Sequence, residues 1–199
     1  MASEIKANKI SPATGTAFTL GDSGDTFTVP SGVTIANSGT ATGFGKVLQV
    51  VQATKSDTAS TNSGTAVTTG LEASITPSAT SSKVLVTVVF SYDGSPDVNT
   101  VFQLYRDTTA IHLGDAAGNR QRASVGSVYQ NYSGEFIWNG TINALDTPSS
   151  TSSITYKLMY FRGNTANTNS IYFNRSYLDT DAVEYKRTIS SITLMEIGA

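Results

Sequence analysis

The chain has 199 residues, a net charge of −2, charged residues at only 14% of positions and no cysteine. That length holds one cored domain plus an appendage, and the sparse charge offers no basic patch for nucleic acid or for an acidic membrane surface. Without cysteine, packing or oligomerisation must supply the stability that disulfides give to small secreted modules.

Residues 1–10 alternate polar and apolar types and hold no long apolar core, so no secretory leader is expected there. The longest apolar run, residues 84–90, is interrupted by Thr87 and too short to cross a bilayer, so membrane insertion is not expected either. Both point to synthesis in a cytoplasm, with any surface role following release. Ser and Thr fill about a quarter of the chain, Gly and Asn are abundant, and helix formers are nowhere gathered on a 3.6-residue period. This composition suits strands and turns.

Residues 1–45 differ from the rest. Phe18, Leu20, Phe27, Val29, Val33, Ile35 and Phe44 are spaced by Gly, Ser, Thr, Asp and Pro, as in very short strands joined by tight corners. One copy of such a segment cannot bury its apolar side chains, whereas three copies wound about an axis can. A trimeric β-shaft is expected here, with a flexible tail as the alternative.

From residue 46 onward strand patterns recur: residues 47–53, 65–76, 83–91, 100–106 and 110–113. The run KVLVTVVFS (residues 83–91) is nearly all apolar and reads as a central strand covered on both faces, followed by a turn at Asp93-Gly94. Residues 114–133 form a polar stretch too long for a simple turn, hence a candidate functional loop. Further strands are expected at 135–143, 153–161, 171–173 and 188–197. Eight or so short strands with irregular loops predict a jelly-roll-like β-sandwich head over residues 46–199.

Chemistry-bearing residues are few. His112 is the single histidine, beside Ile111 and Leu113, which leaves almost no material for a zinc site or a Ser/His/Asp hydrolase. Asp93 and Asp97 share one loop, and Asp179, Asp181 and Glu184 another. Paired carboxylates can cleave glycosides and hard oxygens can bind Ca²⁺, but Asp-rich loops usually serve as turns. Aromatics say more. Tyr92, Tyr129, Tyr132, Trp138 and Tyr177 fall in or near loops, where rings can stack on sugars, and Arg120 and Arg122 could grip acidic sugars or phosphates. Core or interface packing is the alternative for each ring. The Asn131, Asn139 and Asn174 sequons are chance matches if the host is bacterial.

The stretch ASEIKANKISPATGTAFTLGDSGDTFTVPSGVTIANSGTATGFG (residues 2–45) resembles segments of tail-fibre-like virion structural proteins of tailed phages, particularly of marine bacteria. GDAAGNR (114–120), LDTPSSTSSITYK (145–157) and RTISSITLMEIGA (187–199) look like recurring parts of the same group. The resemblance implies a homotrimer in the virion, docked through its N-terminus on other virion proteins of tail or capsid, with the C-terminal domain facing outward. The large anchoring domain usual in such fibres is not among these residues, which leaves room for mounting on a capsid or at the tip of another fibre protein.

The sequence therefore predicts an all-β, non-enzymatic protein: an N-terminal trimeric β-shaft segment (1–45) and a jelly-roll-like head (46–199). Its expected role is host-surface attachment through a glycan, with Arg120, Arg122, Tyr129, Tyr132 and Tyr92 as candidate contacts and no cofactor or metal. Two readings stand beside it: a capsid decoration or head fibre protein without a receptor role, and a polysaccharide depolymerase.

Overall fold

The computed structural model of the protein describes residues 10, 12, 14–15, 17, 19–34, 47–127, 136–163 and 168–198. The chain divides into two units, Met1–Phe44 and Gly45–Ala199.

In the first unit the expected corners are present. Asp25 N donates to Asp22 O at 3.1 Å and Val33 N to Pro30 O at 3.2 Å. Gly24 (φ 98°) and Gly32 (φ 83°) occupy the third position of each turn, where a positive φ favours glycine. The short strands expected between the corners do not form among the described residues. Leu20, Phe27 and Val33 stay exposed, since a single copy offers these stretches neither a ladder partner nor a core.

The second unit is built from strands, and no helix occurs among the described residues. They are β1 (Val47–Lys55), β2 (Ala59–Thr61), β3 (Val67–Ile75), β4 (Lys83–Gly94), β5 (Thr100–Arg106), β6 (Thr109–Ile111), β7 (Val125–Ser127), β8 (Trp138–Asp146), β9 (Ile154–Arg162), β10 (Ile171–Phe173) and β11 (Ser190–Ile197). The longer strands alternate in burial; β11 reads buried, half-buried throughout, as a period-two strand packed on one face must.

All pairings are antiparallel. One sheet runs β1-β11-β4-β8, extended at one end by β10 and β2. The other runs β3-β9-β5, with β6 and β7 sharing the far edge of β5 as two halves of one interrupted strand. Successive long strands alternate between the sheets: β1, then β3; β4, then β5; β8, then β9, then β11. This is the connectivity of an eight-stranded jelly roll, so the expected all-β jelly-roll class is the observed one.

Inward residues of both sheets meet in an aromatic cluster. Phe102 lies 4.7 Å, ring to ring, from both Phe90 and Tyr92, while Phe173 and Tyr160 stand 6.1 Å from Phe90 and Phe102 respectively. Gly140 makes room for it, because a Cβ there would sit 2.2 Å from the Phe90 ring.

Several boundaries differ from expectation, each for a tertiary reason. Asp93-Gly94 is not a turn: β10 pairs with Tyr92, Asp93 and Gly94 and extends β4. The turn falls at 95–98, where Val98 N bonds Ser95 O and Asp97 adopts φ 68°. β4 is central in its sheet, but a single copy covers only one of its faces, leaving Val89 exposed. Residues 114–133 are interrupted by β7, which is drawn out of the loop by the free edge of β5. The strand expected at 135–143 is shifted to Trp138–Asp146 by its register on β4, and β2 forms only because β10 offers it an edge.

Polar side chains fasten the ends of the sandwich. Asn174, fully buried at φ 61°, donates to the carbonyls of Lys55 and Asp57 and accepts from Ser190 Oγ. Arg106 and Tyr156, on the second sheet, both bond the Asp146 carboxylate on the first, Tyr156 at 2.6 Å. Glu196 points inward and is fully buried. Burial pushes its carboxyl up, but bonds from Ser78 Oγ, Gln49 Nε2 and Ser78 N, with the Ser82 hydroxyl beside it, outweigh that and hold it at about 2.

Two outcomes follow from this packing. Gly140→Ala forces Phe90 out of place and should lower stability by about 1–3 kcal/mol in urea unfolding, the usual cost of overpacking a core. Glu196 has a folded pKa below its ordinary value of 4.5. Its contribution is therefore complete above the unfolded pKa and lost as pH falls through the folded one. Stability of the wild type should drop between those limits, and Glu196→Gln should flatten that part of the profile.

Candidate functional site

The strand ends define two ends of the head. At one lie the start of β1, the end of β11, the start of β4 and the end of β8; register pairs Val47 with Ile197, Ile197 with Lys83, and Val84 with Asp146. At the other lie the end of β4, the start of β5 and the ends of β7 and β9, where Thr100 pairs with both Ser127 and Arg162. Strands of about nine residues at about 3.3 Å each separate the two ends by roughly 30 Å. The chain comes in from residues 1–44 at the Val47 end.

A groove of about 470 Å³ opens at the opposite end. Its floor is Asn99 and the start of β5 (Thr100, Val101) with Gly126 and Ser127 of β7, and Asn119, Arg120 and Gln121 form a wall. Two glycines set its shape. A Cβ at Gly126 would approach Thr100 O to 2.8 Å, and one at Gly163 would meet Val101 and Asn99 at 3.1 and 3.3 Å.

The wall is a shaped loop. Ala117 to Arg120 close a turn through Arg120 N–H to Ala117 O, with Gly118 at φ 57° in its second position. Gly114 N bonds Ala123 O, Arg122 Nε donates to Gly114 O at 2.7 Å, and Gln103 Nε2 on β5 donates to Arg122 O at 2.6 Å. His112, exposed and at φ 52°, accepts from Ser124 Oγ through its carbonyl.

The candidate contacts separate here. Arg120 is exposed and lines the groove; its Nη1 leans on Ala117 O at 3.3 Å, and Nε and Nη2 have no partner among the described residues. Two such N–H groups can grip a carboxylate or phosphate side by side, and the neighbouring amides of Asn119 and Gln121 can serve hydroxyls. Arg122 is not in the lining and stitches the loop instead. Tyr129 and Tyr132 lie outside the described residues. Tyr92 was expected near a loop, but it belongs to β4 at 4% exposure and presents no face to a ligand. Burial raises its phenol pKa, and its hydroxyl lies beside those of Thr100 and Ser127, beneath the groove floor. Asn99, Asn119 and Gln121 were missed because nothing local marks an amide as part of a groove.

Two of the carboxylates, Asp93 and Asp179, are held by structural bonds. Asp93 is fully buried; burial raises its pKa, against backbone donors from Tyr177 and Gly94 and the nearby Arg175. Asp179 is held by Arg187 at 2.7 Å and lies 3.8 Å from Arg175, whose guanidinium covers the Tyr172 ring at 4.0 Å. Asp181 and Glu184 are exposed on the same loop, and Tyr177 packs on Tyr172. No cluster of three or more metal-ligating side chains occurs among the described residues. Trp138, at the start of β8, is partly exposed. The Asn174 sequon is buried, the Asn139 side chain accepts from Ser91 Oγ, and Asn131 lies outside the described residues.

No family model matches the chain, and no curated protein matches it. Among solved structures it is similar to that of infectious bursal disease virus, Gx strain, at 13% identity and a TM-score of 0.36. The match covers 76% of this chain and 37% of that one, so the chain spans little more than a third of the length of the structure it matches.

The two arginines should respond differently to truncation. Arg122→Ala removes a loop stitch and should speed hydrogen exchange across residues 114–123, whereas Arg120→Ala should leave that exchange unchanged.

Proposed function

We propose that the protein is a non-enzymatic structural component of a virus particle, a homotrimeric fibre or knob. In this reading the first unit contacts other virion proteins, and the head meets an acidic glycan on the host surface through the Arg120 groove. The observation that carries it is the polarity of the head: the chain comes in at one end, and the groove opens at the other, roughly 30 Å away. A domain tethered by residues 1–44 can thus present the groove outward. Jelly rolls serve both as virus structural domains and as sugar-binding lectins, so the assignment rests on the site and its placement. The four exposed apolar side chains Ile10, Leu20, Phe27 and Val33 of the first unit support a trimer, since three copies can cover what one leaves open.

Particles carrying Arg120→Ala should bind host cells less well while the protein keeps its thermal stability. Losing one charge-assisted hydrogen bond, about 1.5–3 kcal/mol, weakens each site roughly tenfold or more, and three sites compound the loss. Unchanged adsorption by this variant would move the contact away from the groove. Normal adsorption by particles lacking the protein altogether would remove the receptor role and favour decoration. Release of new reducing ends from host polysaccharide by the purified protein would favour the depolymerase.

A further inference from the structure

An apolar row crosses the outer face of the β1-β11-β4-β8 sheet near its Val47 end. Register places Val50, Met195, Leu85 and Leu145 side by side, one from each strand. At the two edges of the sheet, Val50 is 56% and Leu145 57% exposed. The outer face of the other sheet carries Glu72, Lys157, Tyr105 and Ala110 in one row. An opposite-charge pair there is what a sheet facing water calls for. The two outer faces are built for different neighbours.

We propose that the β1-β11-β4-β8 face is covered by a second copy of this chain, so that the heads of the homotrimer read above, on which this inference rests, pack against one another through it. Charge selects a copy over an unlike partner. Apart from Asp93, which the segment after β10 covers, Lys83 is the one charged residue among the outward positions of the four strands, so an acidic or basic partner finds little counterpart. Beside the apolar row runs a row of Gln52, Thr193, Thr87 and Asn143, bonded Gln52 to Thr193 and Thr87 to Asn143. Amides and hydroxyls both donate and accept, so such a face meets its own copy without repulsion, as interface centres depleted in charge do.

Area agrees with this. Four strands about 4.8 Å apart and about nine residues long span roughly 600 Å² before side-chain relief, against about 800 Å² per partner in a standard interface. The sequence of β4 agrees as well: its nearly all-apolar run suits a strand covered on both faces, and a single copy covers one.

The chain has no cysteine, so single-cysteine variants report this face directly. Val50→Cys and Leu145→Cys are compared with Val183→Cys, on the exposed 178–187 loop, in full-length protein at a concentration where light scattering gives the trimer mass. Maleimide labelling at the first two positions should be about tenfold or more slower than at the third, because a covered thiol is inaccessible. The difference should vanish on dilution to monomer. A trimer in which all three positions label equally fast overturns the proposed face and leaves the trimeric reading standing. A wild type that stays monomeric at high micromolar concentration overturns both. Protection that persists in the monomer assigns the face to another segment of the same chain, and protection found only in whole particles assigns it to another virion protein; either result overturns the proposal.

Discussion

The head depends on the contact of Phe90 with Gly140 and Phe102. Phe90 lies on β4, which pairs on one side with β8 and on the other with β11. Its ring needs a neighbour without a side chain on β8 and a ring to meet on the facing sheet, and it finds Gly140 and Phe102. Phe102 in turn sits where β5 is paired with both β7 and β9. The spacing of the two sheets and the position of the groove floor two residues away at Thr100 therefore follow from one packing event.

Around that apolar centre, polar side chains fix the loops. Glu196 holds the 76–82 connection at one end, Asn174 ties β10 to the turn after β1, and Asp93 anchors the segment after β10. A buried carboxylate with several donors is stable as an anion and a weak proton donor at neutral pH, the opposite of what general-acid chemistry requires. That is the state of Glu196. Asp93, raised by burial, is enclosed without solvent contact. In the groove, Arg120 and the amides around it are exposed instead.

The strand pattern divides the head's surfaces in the same economical way. One sheet has an outer face with a Glu–Lys pair, suited to water, and the other has an apolar row flanked by neutral hydrogen-bonding groups. The groove lies at the end remote from the first unit's point of connection.

Much of this was legible in the residues themselves. Period-two alternation marks β9 and β11, β-branched runs mark β4, and the absence of a 3.6-residue period excludes helices, because side-chain direction in a strand is a local property of the backbone. Strands β5 and β10 were visible to the residue. Arg120 stood out as a cation in a long polar stretch, and the Ser-Gly corners of the first unit were marked by residues that tolerate a positive φ. Pairing was not legible. β2 and β7 exist only because β10 and β5 present free edges to them, and Asp93-Gly94, a turn by local chemistry, is held in β4 by β10. The roles of Tyr92 and Arg122 were decided the same way, one drawn into the aromatic core and the other into a loop stitch. The sequence by itself determined which residues favour strands, corners and burial, since those preferences act over a few neighbouring residues. Only the tertiary structure decided which strands share a sheet, which rings meet and which side chains reach the groove, because those contacts join segments up to about a hundred and fifty residues apart that have no local interaction with one another.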